Sequence, residues 1–256
     1  MDSDIPFQLH HGFLIVVEGE IGSLRGLRFI LDTGTTRSIV DKKVARSLGI
    51  EGSKDRALNI NRNVEVQSAT FPELRFGPVS AINPTLLIAN LASFSEFADG
   101  VDALIGLDLL WGHKILIDQQ SKKVSFSPWD RRVKPLQASY PLYVLVRVDV
   151  QGKSLLLTLD TGMKGILLYE ERLHKRVPNL RTKGDTNLVA WGDRMFAKKV
   201  ELEHIRVGNK EIPHPEALLV RGSANLPPEI DGVLGVDCLH ARRMYFDFNK
   251  NILSWE

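Results

Sequence analysis

ILDTGTTRSIV at residues 30–40 and TLDTGMKGILL at residues 158–168 decide the reading of this chain. Each is an apolar run that ends on Asp-Thr-Gly, turns, and resumes as a second apolar run. Asp32 and Asp160 are 128 positions apart. Widening the frame extends the likeness. IVVEGEIGSLRGLRFILDTGTTRSIV (15–40) and VLVRVDVQGKSLLLTLDTGMKGILL (144–168) both read as a hairpin whose second strand runs into the tripeptide. The turns fall at Gly22–Gly26 and at Gln151-Gly152-Lys153, where glycine supplies the backbone freedom a tight turn needs.

A second pair of segments fixes the period. DALIGLDLLWGHKILIDQQSKKVSF (102–126) aligns without a gap on DGVLGVDCLHARRMYFDFNKNILSW (231–255), a shift of 129, with six identical positions. One Asp-Thr-Gly occurs by chance roughly once in several thousand residues at average usage. Two at the same phase of a repeat, each followed about 75 positions later by an apolar-apolar-Gly-x-Asp element, mark an internal duplication. The boundary is expected in SPWDRRVKPLQASYP (127–141), where three prolines and a charge cluster interrupt the strand patterns. The expected lobes are residues 1–130 and 131–256.

Short apolar, often β-branched runs dominate both halves: Phe13–Val17, Leu27–Leu31, Ile115–Ile117, Val124–Phe126, Val144–Val150 and Leu155–Leu159. The expected class is therefore mainly β. A short helix is expected after each Asp-Thr-Gly, the first capped by Asp41 and stopped by Gly49, the second in YEERLHKRVP before Pro178. Asp108 and Asp237 read as caps of two further short helices.

Composition narrows the function. The 256 residues are 43% hydrophobic and 25% charged, typical of a folded globular protein. Lys and Arg number 33 against 31 Asp and Glu, scattered along the chain, so no nucleic-acid footprint stands out. Cys238 is the only cysteine, which excludes an intrachain disulfide and a cysteine-based zinc cluster. The histidines, His10-His11 included, lack metal-ligand spacing, so neither metal nor cofactor is expected. There is no G-x-S-x-G elbow and no phosphate-binding glycine loop. Phe13–Val17 is too short to span a bilayer and no signal pattern opens the sequence. A soluble protein is expected, cytoplasmic, or periplasmic if a signal has been removed.

The chemistry that suits a duplicated aspartate is amide hydrolysis without metal. It needs a base to activate water and an acid to protonate the carbonyl, and two carboxyls sharing a proton supply both. Asp32 and Asp160 are the candidate pair. Gly34 and Gly162 let the loops turn and aim N–H groups at the carboxylates, while the Thr33 and Thr161 hydroxyls are placed to bond across to the opposite loop. Thr35 has no hydroxyl counterpart, since Met163 stands in its place. The expectation is that Thr35 donates to Asp32 and favours its charged form, leaving Asp160 as proton carrier.

These motifs resemble the pepsin and retropepsin superfamily, specifically the bacterial retropepsin-like aspartyl proteases. ILDTGTTRSIV with ALIGLDLL carries the resemblance in the first half, and TLDTGMKGILL with GVLGVDCL in the second. It implies a bilobal acid-protease fold of two pseudo-twofold related, barrel-like lobes with the site at their interface. It also implies an endopeptidase acting through an Asp-bound water on a peptide or protein substrate, with no nucleic acid or membrane partner, and as a monomer. A covering hairpin is expected at Leu58–Gln67 or Leu188–Val200, the latter with Trp191-Gly192 at its turn as candidate substrate contacts. The contrasting reading is a catalytically silent peptide-binding or regulatory module of the same fold, and a third is a tandem whose halves each pair with another chain.

Overall fold

The computed structural model describes residues 4–60, 62–96, 100–126, 136–137, 143–173, 176–177, 180–190, 193–222, 227–250 and 252–256. The first half contributes β1 (Asp4–His10), β2 (Leu14–Ile21), β3 (Leu24–Leu31), β4 (Ile39–Asp41), α1 (Lys42–Ser47), β5 (Ser53–Asn59), β6 (Arg62–Thr70), β7 (Leu74–Phe76), β8 (Val79–Ala81) and β9 (Thr85–Ala89). It continues with β10 (Ala103–Ile105), α2 (Leu107–Leu110), β11 (Lys114–Asp118) and β12 (Lys123–Ser125). After β13 (Leu136–Gln137) come β14 (Leu145–Val150), β15 (Lys153–Asp160), β16 (Ile166–Tyr169), α3 (Glu170–Leu173), β17 (Arg181–Ala190) and β18 (Asp193–Glu201). The chain ends with β19 (Ile205–Val207), β20 (Lys210–Ile212), β21 (Ala217–Val220), β22 (Gly232–Gly235), β23 (Arg243–Asp247) and β24 (Ile252–Trp255).

The protein is mainly β and two-lobed, and the two halves repeat one wiring. β10 lies between β3 and β4, parallel to the first and antiparallel to the second, with Leu104 opposite both Ile30 and Ile39. β22 does the same between β15 and β16, with Leu234 opposite Leu159 and Ile166. These central strands are buried on both faces, which is why they read as continuous apolar runs and not as alternating patterns. Ile15, Val17, Phe29 and Leu31 point into one cluster, while Leu14, Val16 and Ile30 point into another. The first of these clusters also receives Leu155, Leu157 and Leu159, so the halves share one continuous core.

Pairing of β11 with β23 joins the halves directly. At the repeat shift of 129, Lys114 corresponds to Arg243 and Asp118 to Asp247. In the antiparallel ladder Lys114 faces Asp247, Asp118 faces Arg243, and Leu116 faces its own counterpart, Tyr245. A strand that pairs with its repeat-equivalent in this way must lie across a twofold axis, and the axis passes between Leu116 and Tyr245.

Of the local expectations, Asp41 caps α1 by accepting from the Lys43 N–H, and Gly49 follows the helix with φ +68°. Asp108 and Asp237 are not helix caps. The residues preceding these turns are Gly106 and Gly235, and neither turn has a side-chain cap. The Asp108 carboxylate instead accepts from the Ser38 N–H and hydroxyl, at 2.9 and 2.6 Å, and that of Asp237 accepts from the Gly165 N–H at 2.9 Å. Both reach back to the loop after Asp-Thr-Gly, because the inserted strand brings them beside it. The inter-lobe boundary expected at 127–141 lies outside the described residues except for Leu136–Gln137. Among the described residues no helix is long and apolar enough to cross a membrane.

Candidate active site

Asp32 and Asp160 stand at the ends of β3 and β15, where the inserted strands stop and the chain must leave the sheet. The Asp32 N–H donates to the Ile105 carbonyl, and the loop closes where the Leu107 N–H donates to the Thr35 carbonyl. Across the axis two threonines interlock. The Thr33 hydroxyl donates to the Leu159 carbonyl (2.8 Å) and accepts from the Thr161 N–H (3.2 Å). The Thr161 hydroxyl donates to the Leu31 carbonyl (2.6 Å) and accepts from the Thr33 N–H (3.0 Å). Both threonines are buried, so each hydroxyl has its donor and acceptor roles filled by the opposite lobe.

This grip brings the two carboxyls into hydrogen-bonding contact. Each also accepts from the glycine two residues on, Gly34 to Asp32 at 2.8 Å and Gly162 to Asp160 at 2.6 Å. Those glycines face the opposite carboxyl: a Cβ on Gly34 would sit 2.2 Å from Asp160 Oδ2, and one on Gly162 2.9 Å from Asp32 Cγ. No side chain fits there, which explains glycine at both positions.

Burial raises the pKa of Asp32 above the ordinary carboxylate value, against the opposing effects of the Gly34 N–H, the contact with Asp160 and the Thr35 N–H. Asp160 is raised further, first by burial and then by the Asp32 charge, with the Gly162 N–H opposing. Both carboxyls are thus held above the ordinary carboxylate range and titrate as a pair. Where the sequence leads us to expect the Thr35 hydroxyl at Asp32, it is the Thr35 backbone N–H that favours the charged form of Asp32, while the hydroxyl donates to the Arg37 carbonyl at 3.2 Å. Neither neighbouring cation faces the dyad, since Arg37 pairs with Asp55 and Lys164 with Glu216.

Above the carboxyls lies a cavity of about 160 Å³. Leu58, Ile60 and Phe94 from the first half and Tyr143, Leu167, Tyr169, Leu188, Ile230 and Val233 from the second line it. Among the described residues, its lining carries no ionic side chain apart from the two aspartates. Both expected hairpins form, β5 with β6 and β17 with β18, and both reach the cavity, through Leu58–Ile60 and Leu188. Trp191 and Gly192 lie outside the described residues. Tyr143, Tyr169, Ile230 and Val233 were not singled out from the sequence. The repeat supplied one signal for Tyr169, which occupies the register of Asp41.

Away from the cleft, Cys238 is buried, and burial pushes its thiol well up, which suits a packing role. Among the described residues no group of three or more His, Cys, Asp or Glu is placed to hold a metal.

Two lobes that each present an Asp-Thr-Gly loop at a common axis define a single-chain member of the acid-protease class. A family model described as aspartyl protease matches the chain twice, over residues 17–109 and 146–238. The protein belongs to the aspartyl protease family. Comparison with curated proteins gives no match.

Proposed function

We propose that this protein is an aspartic endopeptidase whose catalytic pair is Asp32 and Asp160, working as a monomer on peptide or protein substrates. One observation supports the reading: the reciprocal threonine grip holds two carboxyls, Asp32 buried and Asp160 half-buried, in contact, and burial raises the pKa of both. In the reaction, ionised Asp32 takes a proton from a water as its oxygen attacks the peptide carbonyl carbon. Asp160 gives its proton to the carbonyl oxygen. The tetrahedral diol then collapses: Asp160 recovers a proton from one hydroxyl, the C–N bond breaks, and the leaving nitrogen takes the proton held by Asp32. Thr33, Gly34, Thr161 and Gly162 hold the pair in register, and the Thr35 N–H favours the charged form of Asp32.

The cavity lining favours apolar side chains at the scissile bond, because a carboxylate there would meet ionised Asp32 and no cation among the described lining residues. The test is cleavage of casein from pH 3 to 8 by the wild type, Asp32→Asn and Asp160→Asn. The expected result is activity in the wild type and its loss in both variants. Activity retained by either variant removes the shared dyad.

The second reading is a peptide-binding module without turnover. The small cavity favours it, since pockets that enclose drug-sized ligands run to roughly 300–1,000 Å³. A wild type that binds casein-derived peptides yet cleaves none at any pH would establish it.

A further inference from the structure

The duplication predicts what should stand at position 169. Ladder register makes Ile39 equivalent to Leu167 and Val40 to Leu168, because they face Leu104 and Ala103 in one half and Val233 and Gly232 in the other. Tyr169 therefore takes the place of Asp41. In the first half that carboxylate caps α1 and also accepts from the Leu91 N–H at 2.8 Å. A tyrosine has no acceptor that reaches the same N–H groups, so the second half has given up the cap. Its hydroxyl goes elsewhere, across the cleft, and donates to the Ile60 carbonyl over a long 3.5 Å bond.

Ile60 is an unusual acceptor. Its φ is +56°, a conformation that β-branched residues avoid and that persists only where the surroundings enforce it. The surroundings here belong to the other lobe. Leu58 and Ile60 pack on a cluster made of Leu145, Leu167, Tyr169, Ala197, Val220 and Ile230, all from the second half. Tyr169 is 2% exposed, closed over by that contact, although it lines the cavity beside Asp160. The tip of the first-half hairpin is thus seated on the second lobe, over the dyad. Beneath it lies about 160 Å³, little more than a few side chains occupy.

We propose that Tyr169 is a positioning residue: its hydroxyl and ring latch the β5–β6 hairpin of the first lobe onto the second, and an extended peptide enters only when that latch opens. The latch deepens the protease reading, on which its role in substrate entry rests, but the seated hairpin itself does not depend on catalysis. Opening frees Ile60 from its enforced conformation, which offsets part of the cost of lifting its side chain off the cluster. The substrate that enters must replace those contacts with apolar groups of its own.

Hydrogen exchange of the intact protein tests the latch without reference to activity. Tyr169→Phe keeps the ring and removes the bond, and one hydrogen bond of this kind corresponds to about two- to tenfold faster exchange in the hairpin, residues 53–70, with the rest of the chain unchanged. Tyr169→Leu, which also removes the ring, should accelerate the same peptides further. Rates in the hairpin that match the wild type in both variants, or an acceleration spread evenly over the chain, would overturn the proposal. A kinetic split adds the second arm, measured on a casein-derived peptide. A larger open fraction lowers KM of Tyr169→Phe by a similar factor with kcat within about twofold. An unchanged or raised KM overturns the gating role. Faster exchange in a protein that cleaves nothing would retain the latch and refute the protease, so the two failures are distinguishable.

Discussion

Thr161→Val puts the inter-lobe grip under the most direct strain. The substitution keeps volume and branching and removes one oxygen. That oxygen makes two bonds inside a fully buried site, donating to the Leu31 carbonyl at 2.6 Å and accepting from the Thr33 N–H at 3.0 Å. Valine leaves the Thr33 N–H against a methyl group and takes the donor from Leu31. A buried group deprived of its partner costs about 1–3 kcal/mol, so the pair comes to roughly 2–6 kcal/mol. Against a typical stability of about 5–15 kcal/mol that is a large fraction. Urea unfolding followed by tryptophan fluorescence would read it as a fall in the midpoint. Thr161→Ser, which keeps the hydroxyl, should lose about 1 kcal/mol or less. Thr33→Val should act similarly, and the double variant should cost less than the two singles together, because they share one network. A Thr161→Val protein within about 0.5 kcal/mol of wild type, or no worse than the serine variant, would refute the view that the hydroxyls hold the lobes in register.

Further outcomes follow from the same geometry. Asp160 is raised in the folded state, so its contribution to stability is complete below the ordinary carboxylate pKa and is lost as pH rises through the folded value. Asp160→Asn should therefore flatten the decline in Tm between pH 4 and 7.5, and an unaltered slope would contradict the assignment. Asp55 is held down to about 2 by the Arg37 guanidinium. That tie of hairpin to dyad loop is present above the ordinary carboxylate value and lost as pH falls through about 2. The Tm advantage of wild type over Asp55→Asn should shrink from pH 5 to 2, and it should be small throughout, within about 1 kcal/mol for so exposed a pair. Gly34→Ala should lower Tm more than Gly162→Ala, because its Cβ meets Asp160 Oδ2 at 2.2 Å against 2.9 Å for the counterpart contact. Equal melting temperatures would mean that the loops relax freely.

The parts of the fold that repeat were legible, and the parts where the halves meet or diverge were not. Asp-Thr-Gly at a fixed phase, the Asp41 cap and the Gly49 stop are local patterns whose physics lies within a few residues. Asp108 and Asp237 looked like caps because each follows a glycine at a helical turn. Only the strand inserted between β3 and β4, or between β15 and β16, reveals that Ser38 and Gly165 are closer partners. The Tyr169–Ile60 contact joins residues 109 apart on different lobes, which no periodicity encodes. Register could have flagged Tyr169 as a departure from the repeat, but not where its hydroxyl goes. Thr35 offers two candidate donors, backbone and side chain, and only the loop's own turn reveals that the hydroxyl is engaged by the Arg37 carbonyl.

Leu116 facing Tyr245 bears on what one chain can do that two cannot. At the axis of a symmetric pair of identical subunits, each residue meets a copy of itself, and two tyrosines or two leucines would have to share the space that a large and a smaller side chain now divide. Joining the halves removes that obligation. Each position can then mutate once instead of twice, and the same licence extends outward from the axis, to threonine against methionine beside the carboxyls and aspartate against tyrosine at the ends of β4 and β16. Departures of this kind between equivalent positions are the specialisation that strict symmetry forbids.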